Sequence, residues 1–394
     1  MKDYLLTLES HLDPHQARAV SAMERIAYEA ATGLWLTGGA VRDMLCSLAI
    51  ADLDFTVERG AVDLGRALAL ELGGEVLETD ALGRWVELGL HGAGSASVSN
   101  ARTERRSEPG GTPEIAPAMI HDDLRRRDFT INAIAVSLGK RSRGLLVDPL
   151  NGEADLADRE LRSTGPNAFF DDPSRIFRLV RFRHAFGLEL AARTVTRLET
   201  ALQEGYHLAA PKGAVTREVL AMSMHHAVAP MVSELDSMGA MALWHPALTG
   251  AALNLEGLAR FGQIASVALP PGSRGHLAFL SVLLERLDHG LQSEVISACG
   301  LWVPEASRWP GFAKRVAELQ SALGLGPRKP SEIWRALEAA SVDEIAAVLY
   351  RTDGTLIPDR IAAYFDQYKP AVSDLPPADA AARLDTFYTN DVEG

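Results

Sequence analysis

Cysteine is nearly absent from this chain. With only Cys46 and Cys299 in 394 residues, it has no disulfide framework and no clustered thiolate site, which suits a reducing compartment. Each cysteine is expected to act as a small buried hydrophobe. No apolar run approaches the length needed to cross a bilayer. The Lys2-Asp3 pair and the short mixed run after it do not resemble the start of a secretory signal. A cytoplasmic protein with no membrane partner is expected. A basic excess is also missing, since the net charge of −13 argues against nonspecific coating of nucleic acid. It leaves room for a shaped RNA site, because the cations are bunched: Arg102, Arg105 and Arg106; Arg125 to Arg127; Lys140, Arg141 and Arg143; Arg175, Arg178, Arg181 and Arg183. A local positive surface on an acidic body is the expectation, unless these arginines pair with neighbouring acids. No internal repeat is found, and the length exceeds one typical core.

The most informative stretch runs from Leu34 to Glu58. Leu34-Trp35-Leu36 is a short apolar run followed by Thr37-Gly38-Gly39, the pattern of a buried strand ending in a turn too tight for side chains. A short helix is expected to begin just after the glycines and to run through the apolar residues Met44 to Ile50, followed by a second strand over Ala51 to Glu58. A helix beginning after the glycines turns its free amides and positive end toward the turn, where a phosphate is the commonest guest. Arg42 can add a fork of donors to the same anion. Asp52 and Asp54 project from one face of their strand at period two. Side by side they repel unless a cation lies between them, and hard oxygen ligands suit Mg²⁺ held jointly with substrate phosphates. A Gly-Gly turn alone is usually only a turn, and Asp-x-Asp alone is usually a solvated strand edge. Adjacent and in this order, they form a phosphate cradle beside a metal-binding pair, the equipment for nucleotidyl transfer.

Around this stretch, helices are expected over Pro14 to Ala31 and Val62 to Leu72. Short strands are expected near Glu75 to Glu78, Arg84 to Leu88, Ala96 to Val98, Val136 to Leu138 and Leu145 to Val147. That order fits a small mixed sheet with helices on one side. Residues Ser99 to Met119 are rich in Arg, Glu, Gly and Pro and read as a long mobile loop. From about Asn167 the pattern turns helical. The best-marked helix follows Asp171-Asp172-Pro173, with Asp172 as cap and Pro173 at the first position. Ile176, Leu179 and Val180 mark its apolar face, and Arg175, Arg178 and Arg181 follow at intervals of three.

Four segments carry a family resemblance. Gly38-Gly39-Ala40-Val41-Arg42-Asp43 with Asp52-Leu53-Asp54, Ala101-Arg102-Thr103-Glu104, Asp123-Leu124-Arg125-Arg126-Arg127-Asp128-Phe129-Thr130-Ile131-Asn132-Ala133, and Asp171-Asp172-Pro173-Ser174-Arg175 resemble the motifs of the class II tRNA nucleotidyltransferase and bacterial poly(A) polymerase family. The resemblance spans roughly Leu34 to Leu190. It implies an α+β protein: a polymerase-β-like nucleotidyltransferase head with a mixed sheet over 1–165, a helical neck for base recognition over 166–226, and a helical, RNA-binding body and tail over 227–394. It implies that Asp52 and Asp54 are catalytic and hold Mg²⁺, and that Gly39, Arg42 and Arg127 hold the triphosphate, with Asp128 presetting the Arg127 guanidinium. It further implies that Asp172 and Arg175 read the base, with Arg178 and Arg181 also contacting the nucleotide. An aspartate acceptor beside an arginine donor matches the pairing edges of cytosine and adenine, whereas guanine and uracil present the reverse order. Such a site rejects the analogue that leaves its polar groups unpaired by up to ~10⁴-fold. The expected partners are a tRNA 3′ end, CTP and ATP. A bacterial poly(A) polymerase is the nearest rival; the acidic Asp391-Val392-Glu393-Gly394 end, where such enzymes commonly carry a basic tail, favours tRNA. A nucleotide- or RNA-binding protein without catalysis is the third reading. Its best support is Ser97, which stands where relatives often carry an acid.

Overall fold

The computed structural model describes residues 4–80, 82–270, 273–300, 303–324, 326 and 328–388. The readings made at Lys2-Asp3 and at Asp391 to Gly394 lie outside the described residues. The chain forms two compact units, Met1–Ala210 and Pro211–Gly394. Residues 166–210, expected in a helical neck, pack within the first unit.

In the first unit, α1 (Tyr4–His11) leads into α2 (Pro14–Glu29). The Asp13 carboxylate accepts from the His15 and Gln16 amides, while the Gln16 side chain accepts from the Asp13 amide. This reciprocal cap, with Pro14 at the first position, fixes where α2 begins. Next come β1 (Leu34–Thr37), α3 (Gly39–Leu45), β2 (Leu53–Val57) and α4 (Ala61–Leu72), then β3 (Glu75–Thr79), β4 (Trp85–Leu90) and β5 (Gly94–Asn100). After β6 (Arg102–Arg105), β7 (Glu114–Pro117) and α5 (Ile120–Arg125), the chain returns through β8 (Ala135–Ser137) and β9 (Leu146–Val147).

The seven-stranded sheet has the order β3-β4-β5-β2-β1-β8-β9. It is mixed, because β2 and β5 run parallel while their neighbours pair antiparallel. Strand period two divides its faces. Leu34, Leu36, Leu53, Phe55, Val57, Val86, Leu88, Ala96 and Val98 are buried in one core with α2, α3 and α4. The opposite face of the central strands carries Thr37, Asp54, Thr56 and Ser97. The backbone of α4 lies hard on the sheet at Gly65, where a Cβ would fall 2.3 Å from Val86 Cγ1, so only glycine permits this approach.

Two expectations need correction. The helix after the glycine turn is Gly39–Leu45 and does not run on to Ile50. Gly38, at φ +68°, reverses the chain so that the helix starts at once, and Ser47, at φ +56°, ends it. Ile50 is apolar because its connecting segment packs into the core, not because a helix continues. The expected loop over Ser99 to Met119 contains an antiparallel ribbon, β6 with β7, in which Arg102 pairs with Pro117 and Arg105 with Glu114. The ribbon is held by backbone bonds and by charged groups, Arg102, Glu104 and Arg126, which apolar periodicity does not register.

The first unit continues through α6 (Gly152–Ala157), β10 (Glu160–Leu161), α7 (Ala168–Asp171), α8 (Arg175–Phe186), β11 (Glu189–Leu190) and α9 (Ala192–Gln203). The second unit has only helices among its described residues, from α10 (Lys212–Ala221) to the helix Pro377–Tyr388. In its core the Trp244 indole donates to Thr216 Oγ1 at 2.9 Å, and the Thr216 hydroxyl donates to the Cys299 carbonyl. Cys299 is a free, buried thiol whose pKa burial pushes up to about 12. Cys46 is free and partly buried. No helix among the described residues is long and apolar enough to cross a membrane.

The sheet core depends on Phe55, which is fully buried at the centre of β2. Phe55→Ala is expected to lower the unfolding free energy by about 3 to 5 kcal/mol, read from urea denaturation followed by circular dichroism.

Candidate active site

Asp52 lies just before β2 and is exposed, whereas Asp54 lies within β2 and is partly buried. The parallel register sets Asp54 beside Ser97 of β5, and the Ser97 hydroxyl donates to Asp54 Oδ1 at 2.7 Å. Two residues earlier in each segment, the Ser95 hydroxyl donates to Asp52 Oδ1. Burial pushes the Asp54 carboxyl above the usual carboxylate range, against the pull of the Ser97 bond and the Arg127 charge. Its Oδ2 faces the glycine turn, 3.7 Å and 4.0 Å from where Cβ atoms would stand on Gly38 and Gly39. A substituent on Gly38 would also meet Arg127 Nη1 at 3.0 Å, and one on Gly39 would meet Arg42 Nη2 at 3.6 Å. Thus Asp54, both glycines and both guanidinium groups border one small space.

Arg127 is set by a different acid from the one expected. Asp128 does not hold it; Asp123 does, with its Oδ2 accepting at 3.0 Å from Arg127 Nη2, which also donates to Thr37 and Thr56 Oγ1 at 3.1 and 3.2 Å. Asp123 lies in the first turn of α5 and Arg127 two residues past its end, where a turn closed by the Arg127 amide on the Leu124 carbonyl folds the side chain back toward Asp123. The Asp123 side chain has no solvent exposure, and its Oδ1 accepts from Arg126 Nη2 at 2.6 Å. Burial opposes its charge, but Arg127 and Arg126 hold its carboxyl below the usual range. Arg126 also reaches Glu104 Oε1 at 3.0 Å and thereby anchors the ribbon. Arg42 is fixed on all sides, donating to Asp43 Oδ1 at 2.7 Å and Asn132 Oδ1 at 2.7 Å and lying over the Phe186 ring at 4.6 Å.

Asp128 instead joins α8 to this assembly. It accepts from Arg178 Nε at 2.7 Å, the Phe129 amide at 2.7 Å and Asn132 Nδ2 at 3.1 Å. Burial disfavours its charge, yet Arg178 and Arg175 hold its carboxyl far below the usual range. Asp172 is extended and precedes α8, which begins at Arg175. Its Oδ1 accepts from the Ser174 amide at 3.0 Å and the Ser174 hydroxyl at 2.6 Å, so it caps the turn leading into the helix. Arg175 turns inward at 8% exposure and donates to the Ala168 and Arg126 carbonyls at 3.2 and 2.8 Å. Arg178 and Arg181 lie over the Phe182 ring at 5.2 and 4.5 Å. Many of the bunched arginines therefore face acids or rings, so the positive surface read from their positions is largely compensated.

No three His, Cys, Asp or Glu side chains converge on a metal position among the described residues. The two aspartates offer only oxygen, with hydroxyls behind them, and this fits Mg²⁺, which keeps waters and phosphate oxygens in most of its positions.

Residues 34–162 match the family model described as the poly A polymerase head domain. The chain is 36% identical over 185 residues to an A-adding tRNA nucleotidyltransferase of Aquifex aeolicus, covering 47% of this chain and 22% of that one. It is 39% identical over 175 residues to a CC-adding tRNA nucleotidyltransferase of Geobacter sulfurreducens, covering 44% and 37%. The chain thus spans well under two thirds of either relative's length. A solved CCA-adding enzyme without ligand shares the fold over 98% of this chain and 95% of its own, with a TM-score of 0.62 at 22% identity.

Sequence reasoning missed Asp123, Asn132, Ser95 and the Thr37–Thr56 pair. Asp123 could have been found from its spacing, three and four residues before Arg126 and Arg127; the rest needed strand register. Asp128→Asn is expected to cost about 2 kcal/mol of stability at neutral pH. Because the folded carboxyl has the lower pKa, its contribution is present above the unfolded value near ~4 and is lost below it. Urea denaturation at falling pH should therefore show the gap between variant and parent closing.

Proposed function

We propose that this chain is a template-independent tRNA nucleotidyltransferase, adding C, A or both to a tRNA 3′ end from CTP and ATP. The observation that carries the reading is the convergence of Asp54 Oδ2, the Gly38-Gly39 turn, Arg42 and Arg127, with Asp52 one strand step away. The names of the similar proteins, A-adding, CC-adding and CCA-adding, support the substrate class.

In this reading Asp52 and Asp54 hold Mg²⁺, as nucleotidyltransferases of this kind generally use a divalent metal. When bound there, the ion supplies charge neutralisation for the triphosphate and a more acidic 3′-hydroxyl. Arg127, locked by Asp123, Thr37 and Thr56, offers a preset fork to phosphate oxygens, and Arg42 flanks the turn from the opposite side. The absence of side chains at Gly38 and Gly39 lets the phosphates approach the backbone. The 3′-hydroxyl oxygen bonds to the α-phosphorus and gives up its proton to solvent, while the α–β phosphoanhydride bond breaks and pyrophosphate departs. Base choice is assigned to Asp172 and Arg175, with the base edge taking the place of the Ser174 donors and of the Ala168 and Arg126 carbonyls. Arg178, which bonds to Asp128, anchors the helix that presents them, and with Arg181 it also contacts the nucleotide.

The test is incubation of the purified protein with Mg²⁺, each labelled NTP and tRNAs lacking one, two or three terminal nucleotides. Incorporation of C or A, but not of G or U, is expected; the tRNA extended identifies A-, CC- or CCA-addition. Asp52→Ala should reduce incorporation at least ~10³-fold while tRNA binding persists. Long A tails would support a poly(A) polymerase, and incorporation on none of the tRNAs would leave a binding protein.

A further inference from the structure

The face of β5 toward the candidate site carries hydroxyls where a carboxylate would bring a third charge. β5 reads Gly94-Ser95-Ala96-Ser97-Val98-Ser99-Asn100. Ala96 and Val98 are buried in the core, so at period two the serines lie on the opposite face with Asp54. The register is parallel, with Leu53 beside Ala96 and Asp54 beside Ser97. Each of two serines donates to Oδ1 of its own aspartate: Ser97 to Asp54 at 2.7 Å, and Ser95 to Asp52.

This pairing has two physical consequences. A carboxylate rotates about its last torsion unless a neighbour fixes it, and a donor on one oxygen sets the direction of the other. On Asp54 the oxygen so directed is Oδ2, which faces the Gly38-Gly39 turn. In addition, a serine adds no charge, so a cation between Asp52 and Asp54 meets two negative charges and hydroxyl supports. A serine side chain is one carbon long and reaches only the adjacent strand, so its effect is confined to the aspartate it pairs with in register.

We propose that Ser95 and Ser97 are positioning residues that orient the Asp52 and Asp54 carboxylates for one divalent cation, in place of a third acidic ligand. The inference rests on the cation site of the proposed function. Groups that bond to metal ligands from behind set metal affinity by roughly 10–100-fold, and the two serines occupy that position.

The test uses the full-length protein without nucleotide or RNA, titrated with Mn²⁺ and followed by electron paramagnetic resonance. Ser97→Ala is expected to weaken Mn²⁺ binding by roughly tenfold, and Ser97→Thr, which keeps the hydroxyl, to restore it. Ser95→Ala gives a second reading in the same direction should Ser97→Ala fail to fold, as judged by circular dichroism. Parental Mn²⁺ affinity in a folded Ser97→Ala or Ser95→Ala variant would overturn this inference alone. A parent protein that binds no Mn²⁺ would overturn it together with the proposed cation site.

Discussion

Two carboxylates on one face of a strand repel each other, and burying one of them makes its charge more costly still. Asp52 and Asp54 impose this constraint on the first unit. Around them are serine hydroxyls on β5, the Arg127 guanidinium and a glycine turn with no side chain. Each is what an unfavourable pair of charges requires to persist in a fold: donors behind, a cation beside, and open space in front for a further cation or phosphate. The rest of the sheet supplies the register that makes these neighbours meet.

The positive side of the site depends on two buried acids. Asp123 is closed to solvent and faces Arg126 and Arg127, one guanidinium reaching the ribbon at Glu104 and the other reaching the threonines of β1 and β2. Asp128, also buried, faces Arg178 of α8 and Asn132, which in turn bonds to Arg42. Two networks of hydrogen bonds thus meet at the consecutive residues Arg127 and Asp128, one running from β6 through Asp123 to β1 and β2, the other joining α8 to α3 through Asn132. Breaking one member leaves a buried charge without its partner, which costs far more than an exposed ion pair contributes. The arginines that line the site are consequently held in place before any anion arrives, and the ordering entropy of a long side chain has already been lost.

Much of this was legible in the sequence, because its signals are local. The glycine turn, the Asp-x-Asp strand and the order of strands and helices follow from patterns within a few residues, and the sheet and helices lie close to where those patterns put them. What was not legible depends on register and on distance in space. The ribbon β6–β7 has little apolar content and is held by charges from α5. The partner of Arg127 is Asp123 because the turn that closes α5 folds the chain back on its first turn, an arrangement that adjacency in sequence hides. Arg175 carries a motif position, yet at the entrance of α8 it turns inward toward two carbonyls, a direction that spacing alone does not give.

The central claim is that a divalent cation and a triphosphate meet between Asp52, Asp54 and the Gly38-Gly39 turn. Crystals grown with Mn²⁺ and a non-hydrolysable CTP or ATP analogue test it through anomalous scattering. The account predicts an anomalous peak bridging the two carboxylates and the analogue's phosphate oxygens, with the phosphates against Gly39 and Arg127. A fully bound analogue whose metal and phosphates lie away from both aspartates would contradict it.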